Sequence, residues 1–158
     1  MPKLWPFGTK QDTVRVTIET SGFDDRSYLP PWGAGMQPDL KKHFELVERL
    51  RAAPASKQEA TAQAMVQMAP QAIRGFRADY EHRKDQHARS KWYGSGKKPP
   101  MEPFKLPNHP GFQRLAINAE KAKDYGRAIG VCEEAKRQGW NGDWDKRIER
   151  CRVRAGKG

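Results

Sequence analysis

The stretch "DYGRAIGVCEEAKRQGW", residues 124–140, carries small side chains at Ala128, Cys132 and Ala135. Intervals of four and three residues return to the same face of an α-helix. Leucine or isoleucine would bury more surface there, so small residues on that face imply that neighbouring helices approach closely. Reading outward, Phe112, Leu115, Ala116 and Ala119 form the same kind of stripe one helix earlier. Lys123-Asp124 turns the chain, and Lys136, Arg137 and Gly139 suit a helix C-terminus. After the Asn141-Gly142 turn, Asp143 is placed to cap a third helix lined by Trp144, Ile148 and Cys151.

The order of residues across 112–140 resembles one tetratricopeptide repeat, whose pattern runs W-x-x-L-G-x-x-Y, then A-x-x-x-F, then P. Phe112 stands for the Trp and Leu115 matches the Leu; Ala116 replaces the Gly and Ala119 the Tyr. Tyr125 sits where the family often has an aromatic, Ala128 matches the Ala, Cys132 replaces the Phe, and Trp140 takes the place of the Pro. The likeness covers about a fifth of the chain. It implies a non-catalytic protein–protein interaction module, ending in a final repeat with a capping helix. The first helix of such a repeat lines the concave side, here offering Gln113, Ile117, Glu120 and Lys121. These do not reproduce the Lys/Asn set with which some members grip a peptide's terminal carboxylate. No second copy lies at the family's repeat length upstream, where a proline-rich stretch intervenes. A lone unit does not bury its own face, so helices from 39–87 or another subunit must cover it.

Upstream, "TVRVTIET" (13–20) alternates Val14, Val16 and Ile18 with polar residues, the period-two pattern of a half-buried strand. "LPPWGAGMQP" (29–38) reads as a hinge, and "LWPF" (4–7) as an apolar end that tucks into a groove. Asp39 reads as the N-cap of a helix carrying Leu40, Phe44, Val47 and Leu50. Ser56 and Glu59 suggest a capping box opening a second helix, up to Met68. Pro70 ends or kinks it, and Ile73, Phe76 and Tyr80 mark a third. The fold expected is therefore mostly α: a short N-terminal β-segment (1–38), a three-helix segment (39–87), a Pro/Gly-rich basic strap (88–110), and the repeat-like hairpin with its capping helix (111–158), all in one compact domain.

Charge adds a second expectation. Residues 1–38 hold four basic and four acidic side chains, 39–87 nine and seven, 88–111 five and one, and 112–158 twelve and seven. The net charge of +11 is therefore concentrated in the second half. A basic field of this kind favours nucleic acid, acidic protein or anionic lipid. The alternative function is accordingly nucleic-acid binding through Arg83, Lys84, Arg89, Lys91, Trp92, Tyr93, Lys97 and Lys98, helped by the basic C-terminal helix. The plainer expectation for Trp92 and Tyr93 is that they anchor the strap to the core.

No catalytic set is legible, and no enzyme activity, cofactor or metal is expected. His82 and His87 are five apart and splay on a helix, while His43 and His109 stand isolated in the sequence. Cys132 and Cys151 are expected as buried free thiols in a reducing compartment. The opening lacks an apolar run of signal-peptide length, and no apolar run reaches membrane-spanning length, so the expectation is a cytoplasmic protein without membrane contact. Its partner would be a protein or a nucleic acid, with homo-oligomers also compatible with the pattern.

Overall fold

The computed structural model describes residues 37–157. The β-segment expected at 13–20, the hinge before residue 37 and the "LWPF" end lie outside the described residues. Within them the chain forms six helices: α1 (Pro38–Ala52), α2 (Ala55–Gln67), α3 (Ala69–Arg89), α4 (Pro110–Lys121), α5 (Tyr125–Gln138) and α6 (Trp144–Gly156).

Proline placement sets the first three boundaries. Pro38 and Pro70 each sit in a first turn, where a missing N–H costs nothing. Pro54 holds Ala53 extended and ends α1. Two capping expectations are corrected. The N-cap of α1 is Gln37, because Pro38 already starts the helix, and Asp39 lies in the first turn, facing the positive end of the dipole. The N-cap of α2 is Pro54, whose carbonyl accepts from the Lys57 and Gln58 N–H groups at 2.8 and 3.1 Å. Ser56 and Glu59 therefore fall inside the helix and form no capping box; Glu59 instead accepts a hydrogen bond from Arg127 of α5 at 2.5 Å. Met68 alone separates α2 from α3.

The helices pack mainly in the order α3–α1–α2–α4–α5–α6. One core runs through the row, from Leu40, Ala69, Ala72 and Phe76 to Phe112, Ala116, Cys132, Ala135, Trp140, Trp144 and Ile148. The hairpin face that needed a cover finds it in this chain: α2 lies against α4, with Ala62, Met65 and Leu115 in one cluster. Gly111 permits this approach, since a β-carbon there would meet the Met65 Cβ at 2.8 Å and the Ala62 carbonyl oxygen at 3.0 Å.

The last three helices follow their sequence pattern closely. Phe112, Leu115, Ala116 and Ala119 of α4 are buried, as are Ala128, Cys132 and Ala135 of α5 and Trp144, Ile148 and Cys151 of α6. The side chain of Asp124 caps α5 by accepting from the Arg127 N–H at 3.2 Å. Gly139 closes α5 with a left-handed φ of 90°, which glycine alone adopts without strain. Asp143 takes the N-cap position of α6, but its side chain makes no cap hydrogen bond.

From Ser90 to His109 the chain is irregular. Its second half is tied down. Leu106 enters the core, and Phe104 packs edge-on to Tyr80 at 5.3 Å with the Arg77 guanidinium 4.7 Å over its ring. Tyr80 Oη donates to the Glu102 carbonyl at 2.8 Å, and the Asn141 N–H donates to the Pro107 carbonyl at 3.1 Å.

Because Ala128 fills its space completely, Ala128→Leu should destabilise the fold by about 1–3 kcal/mol. The same change at the exposed Ala155 should stay within about 0.5 kcal/mol. Denaturant midpoints of the two variants against wild type check this.

Candidate functional site

The four residues expected on the concave side of α4 do not share one surface. Gln113 and Ile117 line a cleft of about 320 Å³ between α1 and α4, together with Val47, Leu50, Arg51, Gln58, Asn108, Pro110 and Arg114. Val47, Leu50, Pro110 and Ile117 are its apolar lining, and the rest of the lining is polar. Its polar groups are partly committed: Asn108 Nδ2 donates to Gln113 Oε1 at 3.2 Å, Gln58 Nε2 donates to the Ala53 carbonyl at 3.2 Å, and Arg51 meets Glu48 at 3.5 Å.

Glu120 faces the other way, toward α6. It accepts from Arg147 Nη1 at 2.5 Å and from Arg150 Nη2 at 3.0 Å, while Arg154 approaches at 3.5 Å. Only 9% of the Glu120 side chain and 10% of the Arg147 side chain are exposed, so this pair is a structural tie and Glu120 is not a free groove residue. Burial by itself would raise the Glu120 carboxyl, but the hydrogen bonds from Arg150 and Arg147 hold it below its ordinary value. Lys121 is exposed at the end of α4.

The eight residues of the basic set also separate. Helix α3 extends to Arg89, so Arg83, Lys84 and Arg89 are helical and do not belong to the loop. Arg83 is held by Asp79, Nε to Oδ2 at 2.9 Å, and its side chain is largely covered. Lys98 is spent on the end of α3: its Nζ donates to the His87 carbonyl, to the Ser90 carbonyl at 2.6 Å and to Ser90 Oγ at 3.0 Å. Lys84, Arg89, Lys91 and Lys97 are exposed. The expectation that Trp92 and Tyr93 anchor the strap is overturned. Trp92 is 46% exposed and Tyr93 88%, because Phe104 and Leu106 take the anchoring positions further along.

His43 and His109, isolated in the sequence, meet in the core with ring centroids 5.4 Å apart. Trp140 stacks on His43 at 6.1 Å and stands edge-on to His109 at 4.6 Å, with Phe76 and Phe112 completing the group. His109 is the N-cap of α4, its Nδ1 accepting from the Phe112 N–H at 3.2 Å. Burial drives the His43 pKa from 6.5 down to about 4, and burial with the neighbouring His43 drives His109 well below its ordinary value. The signal for His43 was present: it falls three residues after Leu40 and four before Val47, on the buried face of α1.

Burial also pushes the Cys132 thiol up to about 11 and raises Cys151, so both stay protonated and shielded. Among the described residues no group of three or more His, Cys, Asp or Glu side chains is arranged to hold a metal ion, and no helix is long and apolar enough to cross a membrane. Comparison with known proteins gives no match to any family model, curated protein or solved structure.

The neutral imidazoles make folding acid-sensitive. An unfolded histidine binds a proton below about 6.5, whereas folded His43 resists one until about 4. Stability from His43 is therefore complete above pH 6.5 and is lost as pH falls toward 4, by about 3 kcal/mol in all. Denaturant unfolding across that interval should show the loss, and His43→Phe should reduce it to the share due to His109; an unchanged acid limb in that variant would contradict the assignment.

Proposed function

We propose that the protein is a non-catalytic protein–protein interaction module built on tetratricopeptide-like helix packing, with the cleft between α1 and α4 as its binding surface. The observation that carries this reading is the position of Gln113 and Ile117. They project from the first helix of the repeat-like hairpin, as the resemblance implies for a concave side, and border the cleft beside Val47, Leu50 and Arg114. Small residues on the buried faces of α4 and α5, and the stacking of α6 on α5, support the repeat-like part of the proposal.

A lining that mixes Val47, Leu50, Pro110 and Ile117 with amide and guanidinium groups suits a segment that offers an aliphatic or aromatic side chain plus backbone hydrogen bonds. The amide groups of Gln113 and Asn108 would be the adaptable polar contacts, and Arg114 the charged one.

The test is affinity capture from the source cell after nuclease treatment, using wild type, Ile117→Ala and Arg114→Glu. Wild type should retain a protein that both variants lose by at least about tenfold, roughly the loss of one interface contact worth 1.4 kcal/mol. Equal capture by all three, with unchanged melting temperatures, would refute the cleft as the binding surface.

A further inference from the structure

The strap carries a surface that shares no residue with the cleft. Three facts define it. Lys98 reaches back to the carbonyls that end α3, so residues 91–97 form a loop closed at its base. Gly96, with φ at 78°, supplies the turn that brings Lys98 back. Neither ring in the loop is needed by the core: Trp92 is folded over Gly94, where a β-carbon would meet its ring at 2.2 Å, and Tyr93 projects into solvent.

Exposing two adjacent aromatic rings is unfavourable unless they serve something, because each could bury a large apolar area. Their surroundings identify what. Lys91 and Lys97 flank them in the loop, Lys84 and Arg89 stand on the last turns of α3, and all four are exposed. None of the four makes an ion pair among the described residues. The acidic side chains of this end, Glu81 and Asp85, lie on α3, and the loop itself has none.

We propose that residues 91–97, with Lys84 and Arg89, bind single-stranded nucleic acid. The bases stack on Trp92 and Tyr93, while the four cations pair with phosphates. A duplex hides its base faces and leaves the rings without a partner. A lipid surface fits less well, since the residues around the rings are Ser90, Gly94, Ser95 and Gly96, which supply no apolar face to enter a bilayer. Arg83 and Lys98 are excluded from the site, because Asp79 and the end of α3 already hold them.

The experiment is fluorescence anisotropy of the full chain with labelled oligothymidylate and oligouridylate of about ten nucleotides, a duplex of the same length, and vesicles of phosphatidylserine and phosphatidylcholine. Single strands should bind more tightly than duplex, with a log–log salt slope of about −3 for four phosphate contacts. The two single strands distinguish DNA from RNA as the source of the same chemistry. Tyr93→Ala and Trp92→Ala should each weaken binding by about 5- to 150-fold. Lys91→Ala should flatten the slope by about 0.7. Tyr93 is 88% exposed, so its replacement should leave the fold intact, and a melting curve of the Trp92→Ala variant that matches wild type would establish the same for Trp92. No binding at low salt, binding indifferent to both rings, duplex binding equal to single-strand binding, or binding to vesicles alone would each overturn the proposal.

Discussion

Much of the described structure depends on one contact, the group of rings formed by His43, Phe76, His109, Phe112 and Trp140. His43 comes from α1, Phe76 from α3 and Phe112 from α4, while His109 caps α4 and Trp140 follows the end of α5. α1 itself meets α4 only slightly, so the rings join these two helices directly, while α2 joins them through the Ala62, Met65 and Leu115 cluster. Burying imidazole is unfavourable in its charged form, and the molecule avoids that by keeping both rings neutral. His109 recovers part of the cost by serving as the cap of α4. The joint is therefore strong at neutral pH and weak in acid.

Beyond the joint, the C-terminal trio is held by close approach and by charge. Ala116, Ala128, Cys132 and Ala135 let backbones come near, and dispersion contacts accumulate because no long side chain intervenes. Glu120 adds the tie between α4 and α6. Removing it would leave Arg147 largely buried without its main partner, although Asp143 remains 3.7 Å away. The same side chain is thereby withdrawn from any ligand on the concave side.

Among the described residues, the cleft and the strap differ in their chemistry. The cleft offers the apolar side chains of Val47, Leu50, Pro110 and Ile117 beside amide and guanidinium groups. The strap offers flat rings and cations. Cys132, Cys151, His43 and His109 are buried in the packing, with burial opposing their charged forms. The proposed roles therefore rest on surfaces rather than on reactive groups.

By itself, the sequence determined the six helices' approximate places, because prolines and a glycine punctuate them and the stripes at 112–119, 125–135 and 144–151 repeat with helical spacing. It also determined that small residues would be buried where α4, α5 and α6 meet. Cap identities were less legible: moving a helix start by two residues, as at Pro38 and Ala55, reassigns the cap and frees Glu59 to reach Arg127 across 68 positions. Only the tertiary structure decided that His43 and His109 adjoin, that Glu120 turns to α6, and that Phe104 displaces Trp92 and Tyr93 as the anchor. Those outcomes depend on which distant side chain occupies a space first, and local periodicity holds no record of residues separated by tens of positions.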